Sequence, residues 1–180
     1  MKYNTKNLTL GALFLALGLV LPFVTGQIPQ IGSMLLPMHL PVFLCGLICG
    51  WQYGALVGAV TPLLRSVLFG MPPLFPTATA MAFELLTYGL VTGLLYGRSR
   101  RQGMAALYCS LLAGMVAGRL VWGCVQGLLL GLSGSSFTLQ MFLAGSLLNA
   151  VPGIVLQLVL IPAIMAALDR TGLVPYLQNA

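Results

Sequence analysis

Arg65, Glu84 and Arg119 stand inside long stretches built almost wholly of Leu, Val, Ala, Gly, Met and Phe. Holding an ionised group at the depth of a bilayer costs several kcal/mol, with estimates from roughly 2.5 to 17. Such groups persist where they face a protein interior or a wet cavity, so they are functional candidates by default. Their chemistry would be recognition of charge. A guanidinium offers a planar fork of donors to a carboxylate or phosphate, and a carboxylate accepts from hydroxyl, amide or guanidinium groups. Tyr88 lies one helical turn past Glu84, and Trp122 and Gln126 lie one and two turns past Arg119. With His39 and Asn149 they complete the set of residues spaced to join such a site.

Two arginines face one carboxylate in this set. A closed structural network would pair Glu84 with one of them and leave the other cation buried without a partner, which is costly. The imbalance favours a pocket for an anionic group, a carboxylate or a phosphate, over a purely structural ion pair. His39 taken alone reads as the start of a helix.

Other chemistries fit less well. The string Gly131-Leu132-Ser133-Gly134 looks like the Gly-x-Ser-Gly of an intramembrane serine protease, but a serine nucleophile needs a base at hydrogen-bond distance. The single histidine, His39, precedes it by three helices. Cys45 and Cys49 share a helix face, yet two thiols with no third ligand make a poor metal site. They read, with Cys109 and Cys124, as small packing residues, so neither a metal nor a cofactor is expected. No ring of like charges or carbonyl-rich filter suggests a channel, and no internal repeat suggests a self-sufficient transporter. A Walker motif is also missing, so the chain hydrolyses no nucleotide alone and is not expected to be an enzyme.

The elements that position these residues must be membrane helices. Charged residues make up 6% of the 180-residue chain against about 25% for an average soluble domain, so a water-soluble surface cannot be built. The length suits one domain, 1–180, an all-α bundle in a lipid bilayer. Apolar runs predict six spans, at 8–25, 37–49, 51–69, 77–96, 103–131 and 138–168. The second is short and flanked by proline, and Pro152 and Pro162 are expected to kink the last. The first follows a polar leader, 1–7, and is expected to be retained rather than cleaved.

Six spans put both termini on one side, together with Lys2, Lys6, the Arg98, Arg100 and Arg101 cluster, and Arg170. The loops at 26–36, 70–76 and 132–137 fall on the other side and carry no charge. The positive-inside rule makes the termini cytoplasmic, and it explains the net charge of +6 without nucleic acid as a partner. Depths follow from the helical rise. Arg65 lies about 20 Å from the cytoplasmic end of its span, and Glu84 about 10 Å below the outer end of its own. Arg119, His39 and Asn149 fall in the same outer half.

Small residues recur at fourfold spacing, as in Gly46, Gly50, Gly54 and Gly58, in Gly89, Gly93 and Gly97, and in Gly114 and Gly118. Close helix packing is the better reading for most of them. Ala12 and Ala16, one turn apart in the first helix, could instead form a flat patch for another membrane subunit.

A family pattern runs through the same residues. It comprises Pro37-Met-His-Leu-Pro41, Gly50-Trp-Gln-Tyr-Gly54, Thr61-Pro-Leu-Leu-Arg65, Gly70-Met-Pro-Pro73 and Ala82-Phe-Glu84-Leu-Leu-Thr-Tyr88-Gly89. The whole chain resembles the substrate-binding S component of energy-coupling factor (ECF) transporters, vitamin importers of the bacterial plasma membrane. Ala12-Leu-Phe-Leu-Ala16 is similar to the family's Ala-x-x-x-Ala motif. The resemblance implies six helices and a vitamin bound from outside under a gate formed by the loop 26–36, with 70–76 beside it. It also implies docking through Ala12 and Ala16 on a transmembrane coupling subunit driven by two ATPases. The string around His39 looks most like the pantothenate- and pyridoxine-related branch, with pantothenate ranked first. Arg65 or Arg119 would then hold its carboxylate, and Glu84, Gln126 and Asn149 its polar groups.

Overall fold

A computed structural model describes residues 5–24, 34–99, 103–134, 138–143 and 150–170. Among them every regular element is helical. They are α1 (Thr5–Val24), α2 (His39–Cys49), α3 (Trp51–Phe69), a π-helical turn (Leu74–Ala78), α4 (Thr79–Arg98), α5 (Met104–Leu132), the short α6 (Leu139–Leu143) and α7 (Val151–Arg170). Four stretches are long and apolar enough to cross a membrane: Thr5–Phe23, Leu74–Arg98, Met104–Leu132 and Val151–Arg170. α2, with 11 residues, and α3, with 19, fall outside that set.

α4 is the hub and packs against α2, α3 and α5. Its contact with α2 and α3 is backbone on backbone. A Cβ on Gly46 would lie 2.7 Å from the Gly89 carbonyl oxygen, one on Gly54 would lie 2.6 Å from Gly46 Cα, and one on Gly93 would lie 2.6 Å from Trp51 Cα. Gly58 abuts the Leu85 carbonyl and Gly89 abuts the Gly54 backbone in the same way. Small residues let helix axes approach until main chains touch, and van der Waals packing then drives association. Gly50 belongs to the same sequence series but acts differently. It joins α2 to α3 at φ +94°, a backbone angle that disfavours any side chain, and its Cβ would meet nothing within 4 Å. Gly97, at the end of α4, also faces open space.

α1 lies on α2 and α3. Its inner face is Gly11, Phe14 and Gly18, with Gly18 against Thr61 and Gly11 against Tyr53. Ala12 and Ala16 point the other way and are exposed, beside the exposed Leu8, Leu13, Leu17 and Val20. At the first turn Asn7 Nδ2 donates to the Cys49 carbonyl at 3.3 Å, satisfying an acceptor at the end of α2.

α5 spans 29 residues, about 43 Å at the helical rise. Its buried residues, Leu107, Ser110, Leu111, Gly114, Met115 and Gly118, all lie in the first half. From Arg119 onward no residue of the helix is fully buried, so its second half leaves the packed core.

Of the expected run 138–168 the described residues form α6 and α7, and 144–149 lie outside the described residues. Pro152 sits in the first turn of α7, where a missing N–H costs nothing, so only Pro162 is interior. The proline loop at 70–76 leads into the π-helical turn, in which Phe75 is extended (φ −121°, ψ 134°).

Candidate functional site

Glu84 is the centre of a polar cluster in an apolar surround. Glu84 and Tyr88 stand one turn apart on α4, on the same face. The Tyr88 hydroxyl donates to Glu84 Oε1 at 2.7 Å. From α5, Arg119 Nη1 reaches the same oxygen at 3.0 Å. From the first turn of α2, His39 Nε2 lies 3.7 Å from it, too long for a hydrogen bond. Glu84 and Tyr88 are each 2% exposed and His39 is 1% exposed. The Tyr88 ring is held between Phe43, at 4.8 Å between centroids, and His39, at 5.4 Å. Gly118 makes room for it, since a Cβ there would collide with the Tyr88 ring. Gly114 likewise makes room for Phe43 and Thr92.

The cluster is incompletely satisfied. Arg119 Nη2 and both ring nitrogens of His39 are buried without a hydrogen-bond partner, as are Thr92 Oγ1 on α4 and, two turns further along α5, Gln126 Oε1. Leaving a buried polar group unpaired typically costs about 1–3 kcal/mol, more for a charged one. Unpartnered polar atoms buried beside an engaged carboxylate mark a candidate for ligand recognition. A guanidinium with one nitrogen on a carboxylate and the other bare can accept a second anionic group.

Arg65 is elsewhere. Its Nη1 donates to the Leu19 carbonyl of α1 at 2.6 Å, and its guanidinium carbon lies 5.1 Å from the Phe23 ring and 5.5 Å from the Phe69 ring. Those two rings meet edge to face at 4.9 Å. Arg65 is 3% exposed and ties α3 to the C-terminal end of α1 through the Leu19 carbonyl and the Phe23 ring, with Phe69 of its own helix beside it. The two arginines that the sequence counted against one carboxylate therefore occupy different places, and in the Glu84 cluster one guanidinium faces one carboxylate.

Of the remaining expected residues, Trp122 and Gln126 continue the Arg119 stripe along α5, and Trp122 stacks on Phe142 of α6 at 6.2 Å. Asn149 lies outside the described residues, as does most of the loop 26–36. Ser133 closes α5 with its exposed hydroxyl donating to the Leu130 carbonyl at 2.9 Å.

Gln157 escaped sequence reasoning. It is 2% exposed in α7, and its Nε2 donates to the Leu36 carbonyl at 3.4 Å, just before α2 and His39. Gly153, one turn earlier, fits against the backbone of Met34 and Leu35. The available signal was a lone amide in the apolar run of α7.

Comparison with curated proteins and with solved structures gives no match. Residues 6–165 do match a protein-family model, that of the ECF transporter substrate-specific component. The match takes in α1 to α5, the whole Glu84 cluster and most of α7, so the chain belongs to the family of ECF transporter substrate-specific components.

Proposed function

We propose that this chain is the vitamin-binding subunit of an ECF-type importer in the bacterial plasma membrane. It takes a small, water-soluble, anionic vitamin from outside and delivers it by docking on a transmembrane coupling subunit driven by two ATPases. The observation that carries the reading is the buried Arg119 Nη2 and His39 ring nitrogens, all without a hydrogen-bond partner, around a carboxylate that is already engaged. A ligand carboxylate on Arg119 would supply the missing acceptor. Pantothenate is the first ligand and a pyridoxine-type vitamer the second. With Arg65 bound to α1, the acid falls to Arg119 alone.

The proposed topology is six crossings with both termini cytoplasmic. The short α2 and α3 supply the crossings beyond the four long apolar stretches. Docking is assigned to Ala12 and Ala16, which are exposed on α1 opposite the Gly11, Phe14 and Gly18 face. A flat face of small residues suits close helix contact.

The test is calorimetric titration of the purified chain against a vitamin panel. Submicromolar binding of one acid supports the reading. No heat and no thermal shift with any vitamin, at receptor concentrations well above micromolar, would leave a membrane scaffold without ligand as the better description. Ala12→Trp should spare binding and abolish uptake in reconstituted transporter, whereas lost binding would refute this separation of docking from recognition.

A further inference from the structure

We infer, resting on the vitamin-binding reading above, that the site takes a two-headed ligand: an acid at one end, a hydrogen-bond donor at the other, and an apolar middle. The two heads are marked by orphaned atoms of opposite kind. Arg119 Nη2 is a buried donor without an acceptor, and Gln126 Oε1 is a buried acceptor without a donor. An ionised carboxylate only accepts, and a hydroxyl, which both donates and accepts, serves both atoms only where they lie within its reach.

Their separation follows from the helix. Seven residues is two turns, so Arg119 and Gln126 share a face of α5 about 10 Å apart along the axis. Side chains on a helix tilt alike toward its N-terminus, so the tilt does not close that gap. Arg119 is further pinned inward by its 3.0 Å bond to Glu84. Gln126 lies toward the end of α5 that leaves the core, so the donor head sits on the side away from the Glu84 cluster.

The space between is not polar. Trp122 lies between the two on the same stripe and stacks on Phe142 with ring planes 26° apart. Gly123 admits the edge of that Phe142 ring, which a Cβ would block. A flat aromatic wall a turn in length favours a carbon linker or a thin ring over a further charge. The site would measure length as well as charge, so a compact acid reaches only the inner grip.

The test compares pantothenate and biotin, acids whose donor groups lie far from the carboxylate, with niacin, a compact acid, and pyridoxine, a compact neutral ring. The full chain in detergent is titrated with each. Pantothenate or biotin should bind at least about tenfold more tightly than niacin and pyridoxine, the gain expected of one added hydrogen bond to a buried acceptor. For whichever long acid binds, Gln126→Met should weaken it by a similar factor. The losses from Gln126→Met and Arg119→Ala should then multiply in the double variant, as they do for independent contacts. Tightest binding of niacin or pyridoxine overturns the inference and leaves the vitamin-binding reading standing. So does unchanged affinity in Gln126→Met. Binding of none of the four, nor of any other vitamin, removes both.

Discussion

The two buried arginines are the most instructive pair in the molecule. Arg65 and Arg119 are at similar depth by residue count, each inside an apolar helix, each mostly hidden from solvent. Arg65 ends on a main-chain carbonyl and between two phenylalanine rings, with no carboxylate in its surroundings. Arg119 ends on a carboxylate and keeps a nitrogen bare. The first is a fastening between α1 and α3; the second, on the function proposed above, is half of an interaction that a ligand completes. Burial of a charge marks a candidate, but the state of its remaining donors separates structure from recognition.

The comparison can be broken most forcefully at Glu84. Glu84→Ala strips Arg119 and Tyr88 of their shared acceptor, and loss of a buried pair's partner typically costs about 3–5 kcal/mol. The variant should lose most of its cooperative thermal unfolding in detergent; an unchanged melting curve would mean that Arg119 finds another partner. Next comes a crossed test of the arginines. Arg119→Ala should cut affinity for the bound acid by about 100-fold, the worth of a charge-assisted hydrogen bond without water. Arg65→Ala should leave that affinity within about threefold while costing about 2–4 kcal/mol of stability from the lost carbonyl bond and ring contacts. Equal losses of affinity in both would erase the distinction drawn here. The smallest effect is expected for Tyr88→Phe, which removes one neutral donor from Glu84 and should cost about 1 kcal/mol by thermal melting.

That distinction also shows what could be read in advance. Apolar run length and glycine or proline punctuation placed the helices well: the run 51–69 coincides with α3, and the run 8–25 overlaps all but the first turn of α1. The family pattern around His39, Arg65 and Glu84 pointed to the family that the comparison shows. The pairing of the arginines was not legible. Counting residues from a helix end gives height in the bundle, but not azimuth against neighbours, and Arg65 and Arg119 differ in azimuth. Gln157 was passed over because an amide at mid-helix looks like any other interruption of an apolar run until a partner carbonyl is placed before it.

The glycine contacts among α2, α3 and α4 bear on how such a protein can be re-specified. At Gly46, Gly54, Gly58, Gly89 and Gly93 even one added carbon meets main chain, so these positions offer no room for exchange. Glu84 and His39 ride on that fixed frame, on α4 and α2. In the C-terminal half of α5 the one tight glycine, Gly123, meets a side chain, Phe142, rather than main chain. On the proposed reading, a new ligand preference should therefore be sought by exchanging side chains on that half of α5, Trp122 and Gln126 foremost, against a frame that tolerates no editing.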